Sequence, residues 1–125
     1  MRFITTFLVV AIGAGAAVMT VQPASAGSGM CTWSSTNGNR ACVYVDRSFV
    51  GLMAYKWEQS GLSNLDSEKR EKMSSWENRS IWNGAWYPGL NGTGSCKNMH
   101  QRTEVGWVGH ANNDDMISWR MNRAC

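Results

Sequence analysis

The stretch Tyr44-Val-Asp-Arg-Ser-Phe-Val-Gly51 has a counterpart 43 residues later, Tyr87-Pro-Gly-Leu-Asn-Gly-Thr-Gly94. Only the tyrosine and the final glycine are identical, yet the same offset also relates Ser75-Trp76 to Ser118-Trp119. Two similar units with no linker between them predict one small domain built from a duplicated motif. We therefore assign the repeated residues to the scaffold and look for function where the two units differ.

The repeated motif predicts a hairpin that folds back on itself. Tyr44 and Phe49 place two aromatic rings around a bend, and Gly51 follows where the backbone needs a positive φ angle. Such a bend leaves backbone groups without partners, and the hydroxyl of Ser75, arriving from a later strand, can satisfy them. The residues expected to repeat these roles in the second unit are Tyr87, Gly94 and Ser118. Gly92 stands in the place of Phe49, which predicts a looser second bend.

The first 26 residues have the pattern of a secretory signal peptide. Met1-Arg2 supplies a positive start, residues 4–21 form an apolar run, and Ala24-Ser25-Ala26 offers a small-x-small cleavage site. The run has about the length of a membrane span, so a retained anchor is the alternative. No charged anchor follows the run, and we therefore expect a secreted domain over residues 27–125 with no membrane attachment.

All four cysteines lie after the predicted cleavage site, and an even number in an exported chain indicates disulfides. Three pairings are open. The pairing of Cys31 with Cys42 and of Cys96 with Cys125 is favoured because each bridge would staple one unit. The chain has no Cys-x-x-Cys pair, which argues against a zinc or redox site.

The rest of the pattern favours strands. Short runs of β-branched and aromatic residues at 42–46, 105–109 and 117–121 are bounded by Gly, Asn and Ser, as in an all-β domain. Only the charged stretch 65–73 could form one or two helical turns, on the surface. We place the first unit at about 42–80 and the second at 82–125.

The Tyr-x-x-x-x-Phe-x-Gly run with its distant serine resembles the Greek-key signature of the βγ-crystallin fold, present here twice. The finer pattern includes Cys42-Val-Tyr-Val-Asp46, Met73-Ser-Ser-Trp76 and Asn113-Asp-Asp-Met-Ile-Ser-Trp119. It is similar to that of small secreted actinobacterial peptidase inhibitors related to a Streptomyces metalloproteinase inhibitor. The resemblance covers about residues 31–125. It implies a disulfide-stapled sandwich of two Greek keys, monomeric and not an enzyme, whose partner is a secreted peptidase.

The βγ-crystallin resemblance also implies a candidate calcium site. The family's stretch has two Asn or Asp residues, two variable residues, Ser or Thr, and Ser; residues 113–118 match it except at Ile117. In the first unit, residues 70–75 begin with Arg70, and a guanidinium opposes a divalent cation. The loops of this family pair across units, so the ligands that could survive are Asn113, Asp114 and Ser74. The alternative is an exposed turn at 113–115 and no cofactor.

Inhibition by such a domain implies a rigid loop that fills the active-site cleft of the peptidase and loses little entropy on binding. Residues 88–99 are the best candidate because they are rich in glycine, differ from the first unit and include Cys96. Leu90 and Met99 are the residues expected to enter a hydrophobic pocket of a metallopeptidase, with Lys97 as the third candidate of this loop. The alternative is an ordinary variable loop.

Other chemistry has little support in the sequence. His100 and His110 are the only histidines, and neither lies in a His-Glu-x-x-His or Gly-x-Ser-x-Gly motif. The formal charge of +3, which includes Arg2, and the absence of a basic cluster argue against nucleic acid. The sequence therefore indicates a protein that is not an enzyme.

Two further functions stay open. Trp76, Trp107 and Trp119 are predicted to be core residues. The other four tryptophans could form the surface of a carbohydrate-binding, cell-wall-binding or antimicrobial module; they are Trp33, Trp57, Trp82 and Trp86. The second alternative is a calcium-stabilised structural protein.

Overall fold

The computed structural model describes Cys31 and residues 39–125, and the predicted signal peptide lies outside the described residues. The strands are β1 (Arg40–Asp46), β2 (Val50–Trp57), β3 (Ser63–Asn64), β4 (Ser75–Asn78), β5 (Gly84–Tyr87), β6 (Lys97–Met99), β7 (Thr103–Val105) and β8 (Ser118–Arg120). Short 3-10 turns lie at Arg47–Phe49, Ser67–Lys69 and Leu90–Gly92. The all-β prediction is confirmed. In the described part of the chain, no helix has the length and apolar character to cross a membrane.

The strands form two four-stranded sheets, β2-β1-β4-β7 and β3-β8-β5-β6, and every pairing is antiparallel. Strands β1 to β4 come from the first unit and β5 to β8 from the second. Strand β7 therefore crosses to the sheet of the first unit, and β3 crosses to the sheet of the second. This exchange joins the two Greek keys into one sandwich.

The 43-residue offset holds in the strand pairing as well as in the sequence. Val43 pairs with Ala54 in the first sheet, and Trp86 pairs with Lys97 in the second. Trp86 is 43 residues after Val43, and Lys97 is 43 residues after Ala54. The inward-facing and outward-facing positions of the two hairpins therefore correspond. The repeat can therefore be used to compare the surroundings of equivalent side chains.

The core lies between the sheets and draws on both units. Trp76 and Trp119 are only 4% and 3% exposed, which confirms their prediction as core residues. Trp107, also predicted as a core residue, is half-buried and lies outside the core cluster. Trp86, assigned above to a ligand-binding surface, is buried as well, because it pairs within the central strand β5. The full cluster is Ala41, Val43, Met53, Leu65, Met73, Trp76, Trp86, Met99, Met116, Trp119 and Met121.

The predicted strand at 105–109 is wrong after its first residue, since β7 ends at Val105. The backbone beyond it bonds to turns of the first unit instead of continuing a ladder. Ser48 N–H donates to the Gly106 carbonyl at 2.9 Å, and Val108 N–H donates to the Ser74 carbonyl at 3.1 Å. The helical turn expected within 65–73 is the 3-10 turn Ser67–Lys69.

Candidate functional site

The first folded hairpin has the geometry that its sequence predicts. Ser48, Phe49 and Gly51 all have positive φ angles, of 58°, 63° and 78°. The hydroxyl of Ser75, which is fully buried, donates to the Asp46 carbonyl at 2.6 Å and accepts from the Phe49 N–H at 3.1 Å. The Tyr44 ring meets the Phe49 ring edge-on, with 5.8 Å between centroids. Tyr44, Gly51 and Ser75 all take part in this folded hairpin.

The second hairpin repeats this geometry. The hydroxyl of Ser118 donates to the Gly89 carbonyl at 2.7 Å and accepts from the Gly92 N–H at 2.9 Å. Asn91 and Gly94 have φ angles of 56° and 88°. The looser bend predicted from Gly92 is therefore wrong. Gly92 itself has a φ of 74°, a conformation in which a residue with a side chain is strained.

Both predicted disulfides are present. Cys31 bonds to Cys42 and Cys96 bonds to Cys125, with Cα–Cα distances of 5.9 Å and 5.8 Å. The first bridge is buried beside Tyr44, whereas Cys125 at the end of the second is exposed. Each bridge braces the unit to which the sequence assigned it.

The two candidate calcium loops meet across the units but offer different donor sets. Ser74 Oγ donates to Asn113 Oδ1 at 2.5 Å, and Asp114 N–H donates to the Met73 carbonyl at 3.1 Å. The equivalent place in the other pair of loops holds Arg70, whose Nε donates to the Leu65 carbonyl at 2.8 Å. A guanidinium that already bonds the loop carbonyl does not fit a second calcium ion.

The remaining pair of loops supplies few ligands for a metal. Calcium takes six to eight oxygen ligands, usually with several carboxylates. Among the described residues, no group of three or more His, Cys, Asp or Glu side chains could hold a metal ion. Ser74 and Asn113 are brought together as predicted, with Asp114 exposed beside them. This donor set satisfies itself by a hydrogen bond and is a poor match for calcium.

The three residues proposed for the inhibitory loop have different surroundings. Leu90 is 45% exposed at the tip of the second folded hairpin. Lys97 is half-buried, with its Nζ 5.3 Å from the centre of the Trp86 ring. Met99 is fully buried in the core, so its assignment to a peptidase-binding surface is wrong. The reason is that Met99 ends strand β6 opposite Gly84 and faces the opposite sheet.

The loop that carries Leu90 is braced on both sides. Asn64 Oδ1 accepts from the Asn91 N–H at 2.8 Å, and Asn64 Nδ2 donates to Asn91 Oδ1 at 3.0 Å. Thr93 Oγ1 donates to the Leu90 carbonyl at 2.7 Å. Together with the Ser118 hydroxyl, these bonds hold the backbone of the loop and leave the Leu90 side chain in solvent.

The histidines show no catalytic arrangement. His100 and His110 are both exposed, and the hydrogen bonds of the described residues include none between either imidazole and a serine or a carboxylate. His110 instead packs edge-on against the Trp107 ring, with 5.5 Å between centroids. Arg47 covers the same ring at 3.7 Å. This cluster is a packed surface stack that ties the first bend to the loop after β7.

A cavity of about 370 Å³ opens between β2 and β3, at the side of the sandwich where the two sheets part. Lys56 lies in it and donates from Nζ to Ser63 Oγ at 2.5 Å. Burial lowers the pKa of Lys56 below its ordinary 10.5. The cavity's other lining residues include Leu65, Asp66, Lys69 and Trp119.

Sequence reasoning missed Lys56 because it belongs to no motif. One signal was available, since the 43-residue offset places Lys56 on Met99. A charged residue in one unit and an apolar residue in the other mark a place where the two units face different surroundings.

Solved structures that are similar to this one are βγ-crystallin domains. A βγ-crystallin domain from Clostridium beijerinckii is 26% identical with a TM-score of 0.52, covering 66% of this chain and 95% of its own. A βγ-crystallin from an archaeon is 21% identical with a TM-score of 0.54, covering 68% of this chain and 99% of its own. The fold is that of a βγ-crystallin domain. The fold prediction is thereby confirmed.

Other comparisons add no function to this βγ-crystallin-like domain. No protein-family model matches the chain, and no curated protein matches it. A third similar structure, a βγ-crystallin domain from Flavobacterium johnsoniae, is 19% identical with a TM-score of 0.53, and covers 64% of this chain and 90% of its own. The resemblance to actinobacterial peptidase inhibitors stays a prediction.

Proposed function

We propose that this βγ-crystallin-like domain is a secreted, monomeric peptidase inhibitor that presents Leu90 to the active-site cleft of its target. The observation that supports this proposal is the contrast within one loop. The Leu90 side chain is 45% exposed, while the backbone around it is held by Asn64, Thr93 and Ser118.

A braced loop suits inhibition because binding then costs little conformational entropy. A loop that is ordered before it binds avoids the cost of about 0.5–1.5 kcal/mol for each side chain that would otherwise be immobilised. The reciprocal amide pair of Asn64 and Asn91 links the loop to strand β3, and the Cys96–Cys125 bridge fixes the chain after it. An exposed aliphatic side chain on such a loop fits a hydrophobic specificity pocket.

A metallopeptidase is the preferred target class because the resemblance in sequence points to inhibitors of that class. Leu90 then acts as the anchor, and Lys97 holds the end of the candidate loop, since its Nζ donates to Ser95 Oγ at 2.9 Å and lies 5.3 Å from the centre of the Trp86 ring. Lys97 is thus a positioning residue, and Met99 has no part in the contact. No charged group of the domain needs to reach the reacting atoms, since a filled cleft excludes the substrate.

The test is to titrate the refolded protein against secreted metallo-, serine and cysteine peptidases, including a thermolysin-like enzyme. Inhibition of the metallopeptidase, weakened at least tenfold in Leu90→Ala, supports the proposal. The matched control is Ile81→Ala, because Ile81 is also an exposed aliphatic residue, at 50%, but lies on the turn between the units. No inhibition in the panel, or equal inhibition by the Leu90→Ala variant, rejects it.

One surface favours a second function, carbohydrate binding. Tyr55 and Trp57, each 41% exposed, lie two residues apart on β2 and therefore on the same side of the first sheet. The Arg40 guanidinium lies 4.3 Å over the Trp57 ring. Retention of the protein on chitin or peptidoglycan, lost in the Trp57→Ala variant, would support carbohydrate binding. If the protein is retained on neither polymer, carbohydrate binding is contradicted.

A further inference from the structure

Lys56 and Met99 occupy equivalent places in the two units. Lys56 pairs with Ala41 in the first sheet, and Met99 pairs with Gly84 in the second. Both partners of each pair are related by 43 residues. Because the side chains of a strand alternate between its two faces, equivalent pairs point their side chains the same way. Lys56 is therefore a lysine at a position that faces inward.

The surroundings of the two side chains nevertheless differ. Met99 is fully buried in the core cluster. At the other end of the sandwich, Lys56 is half-buried and borders the cavity of about 370 Å³. This volume lies within the range of about 300–1,000 Å³ that is typical of ligand pockets. The first unit thus has an opening where the second unit is filled.

The Lys56 ammonium has polar and aromatic neighbours. Its Nζ donates to Ser63 Oγ and lies 5.6 Å from the centre of the Trp119 ring. The ion pairs of the described residues do not include Lys56, and Asp66 pairs with Lys69 at 3.7 Å. Burial already lowers the pKa of Lys56, as expected for an ammonium that is partly removed from water without a counter-ion.

The charges and shape of the cavity select one ligand chemistry. The charged side chains among its lining residues are Lys56, Lys69 and Asp66, so the cavity has one positive charge in excess and matches a single negative charge. Ser63 accepts a hydrogen bond from Lys56 and keeps its own hydrogen for a ligand oxygen. The remaining walls are mostly apolar or aromatic, with one further polar side chain, that of Asn64; the apolar and aromatic residues are Leu52, Met53, Ala54, Tyr55, Leu65 and Trp119.

We propose that this cavity binds a monocarboxylate with a compact apolar body, whose carboxylate bonds to Lys56 and Ser63 and whose body packs against Leu65 and Trp119. A charge-assisted hydrogen bond between the ammonium and the carboxylate offsets the free-energy cost of removing water from the Lys56 ammonium. Two sources share this chemistry, a free organic acid and the C-terminal carboxylate of a peptide. The proposal does not rest on inhibition by the Leu90 loop, although Asn64, which bonds to that loop, also lines the cavity.

The test uses 4-phenylbutyrate as the probe and its neutral amide as the control, in calorimetric titrations of the refolded domain. We expect saturable binding of the acid, at least tenfold weaker binding of the amide, and a chemical-shift change at the Trp119 indole N–H in NMR spectra. Acetyl-Ala-Phe as the free acid and as the amide distinguishes the peptide source, because only a peptide-binding cavity prefers that acid to phenylbutyrate.

The decisive variant is Lys56→Met, which gives the first unit the residue of the second. Binding should fall at least tenfold in this variant and stay unchanged in Lys72→Met, whose exposed lysine lies outside the cavity. Lys56→Gln serves the same purpose if the methionine variant does not fold. Absence of saturable binding, equal binding of acid and amide, or unchanged binding without Lys56 overturns the proposal.

Discussion

The two Greek keys have the same scaffold and different contents. Ser75 and Ser118 close their bends with the same pair of hydrogen bonds, and Trp76 and Trp119 fill equivalent places in the core. At the end of the second strand, however, the first unit has Lys56 beside a cavity and the second has Met99 in the core. The two units therefore share the contacts that shape the backbone, while equivalent inward positions have different surroundings.

The largest change in the free energy of unfolding should come from placing the lysine of the first unit at the equivalent position of the second, position 99. Met99→Lys places an ammonium in a fully buried site with no counter-ion, and we expect a loss of about 4 kcal/mol in the free energy of unfolding. Urea denaturation measures it. Met99→Leu is the control and should cost under about 1.5 kcal/mol, since it keeps the volume. A small effect of the lysine would mean that position 99 is as open as position 56.

The next largest loss of stability should come from removing the serine hydroxyl that closes the bend in each unit. Ser75→Ala and Ser118→Ala each leave a backbone N–H and a carbonyl without their partner, at a cost of about 2 kcal/mol. The two costs should be similar, because both hydroxyls are fully buried and make the same pair of hydrogen bonds. Thermal or urea unfolding of both variants measures these costs. If both variants are as stable as the parent, the serine hydroxyls do not stabilise the folded hairpins.

A smaller effect, of opposite sign, should follow Lys56→Met. Removing a half-buried ammonium at an inward position should raise the free energy of unfolding by about 1 kcal/mol at neutral pH. The lowered pKa of Lys56 means that the folded state binds fewer protons than the unfolded state between that pKa and 10.5. The parent therefore gains stability as pH rises through this window, and the advantage of the variant should shrink.

Unfolding curves of parent and variant, from neutral pH to about pH 10, measure this difference. The neighbouring titratable groups around the cavity, on Tyr55, Asp66 and Lys69, are common to both proteins and cancel in the comparison. An advantage that grows with pH would contradict the assigned cause.

Much of the fold could be predicted from the sequence because its signals are local or repeated. The spacing of Tyr44, Gly51 and Ser75, and its recurrence, predicted two folded hairpins closed by serine hydroxyls. Both disulfides followed from the idea that each unit is stapled separately. The strand at 105–109 failed because Gly106 and Val108 bond to distant turns, which no local pattern records.

The cavity beside Lys56 was harder to predict, because it depends on how the space around each of two equivalent inward positions is packed. Met99 was placed in a loop from its glycine-rich neighbourhood, although its pairing with Gly84 turns it into the core. Lys56 was overlooked because a lone lysine on a strand carries no motif. The surroundings of Lys56 depend on strand β3, which comes from the first unit but pairs with β8 in the second sheet. This crossing places Ser63 of β3 beside Lys56, and β3 itself beside Trp119 of β8.

The most direct test of the account is urea unfolding of the parent and of Lys56→Met with and without 4-phenylbutyrate. At roughly three times the Kd, the acid should raise the free energy of unfolding of the parent by about 0.8 kcal/mol through linkage. The variant should start more stable than the parent and gain nothing from the acid. If the variant is less stable without the acid, or gains as much from it as the parent, then Lys56 is not the residue by which the first unit differs in function from the second.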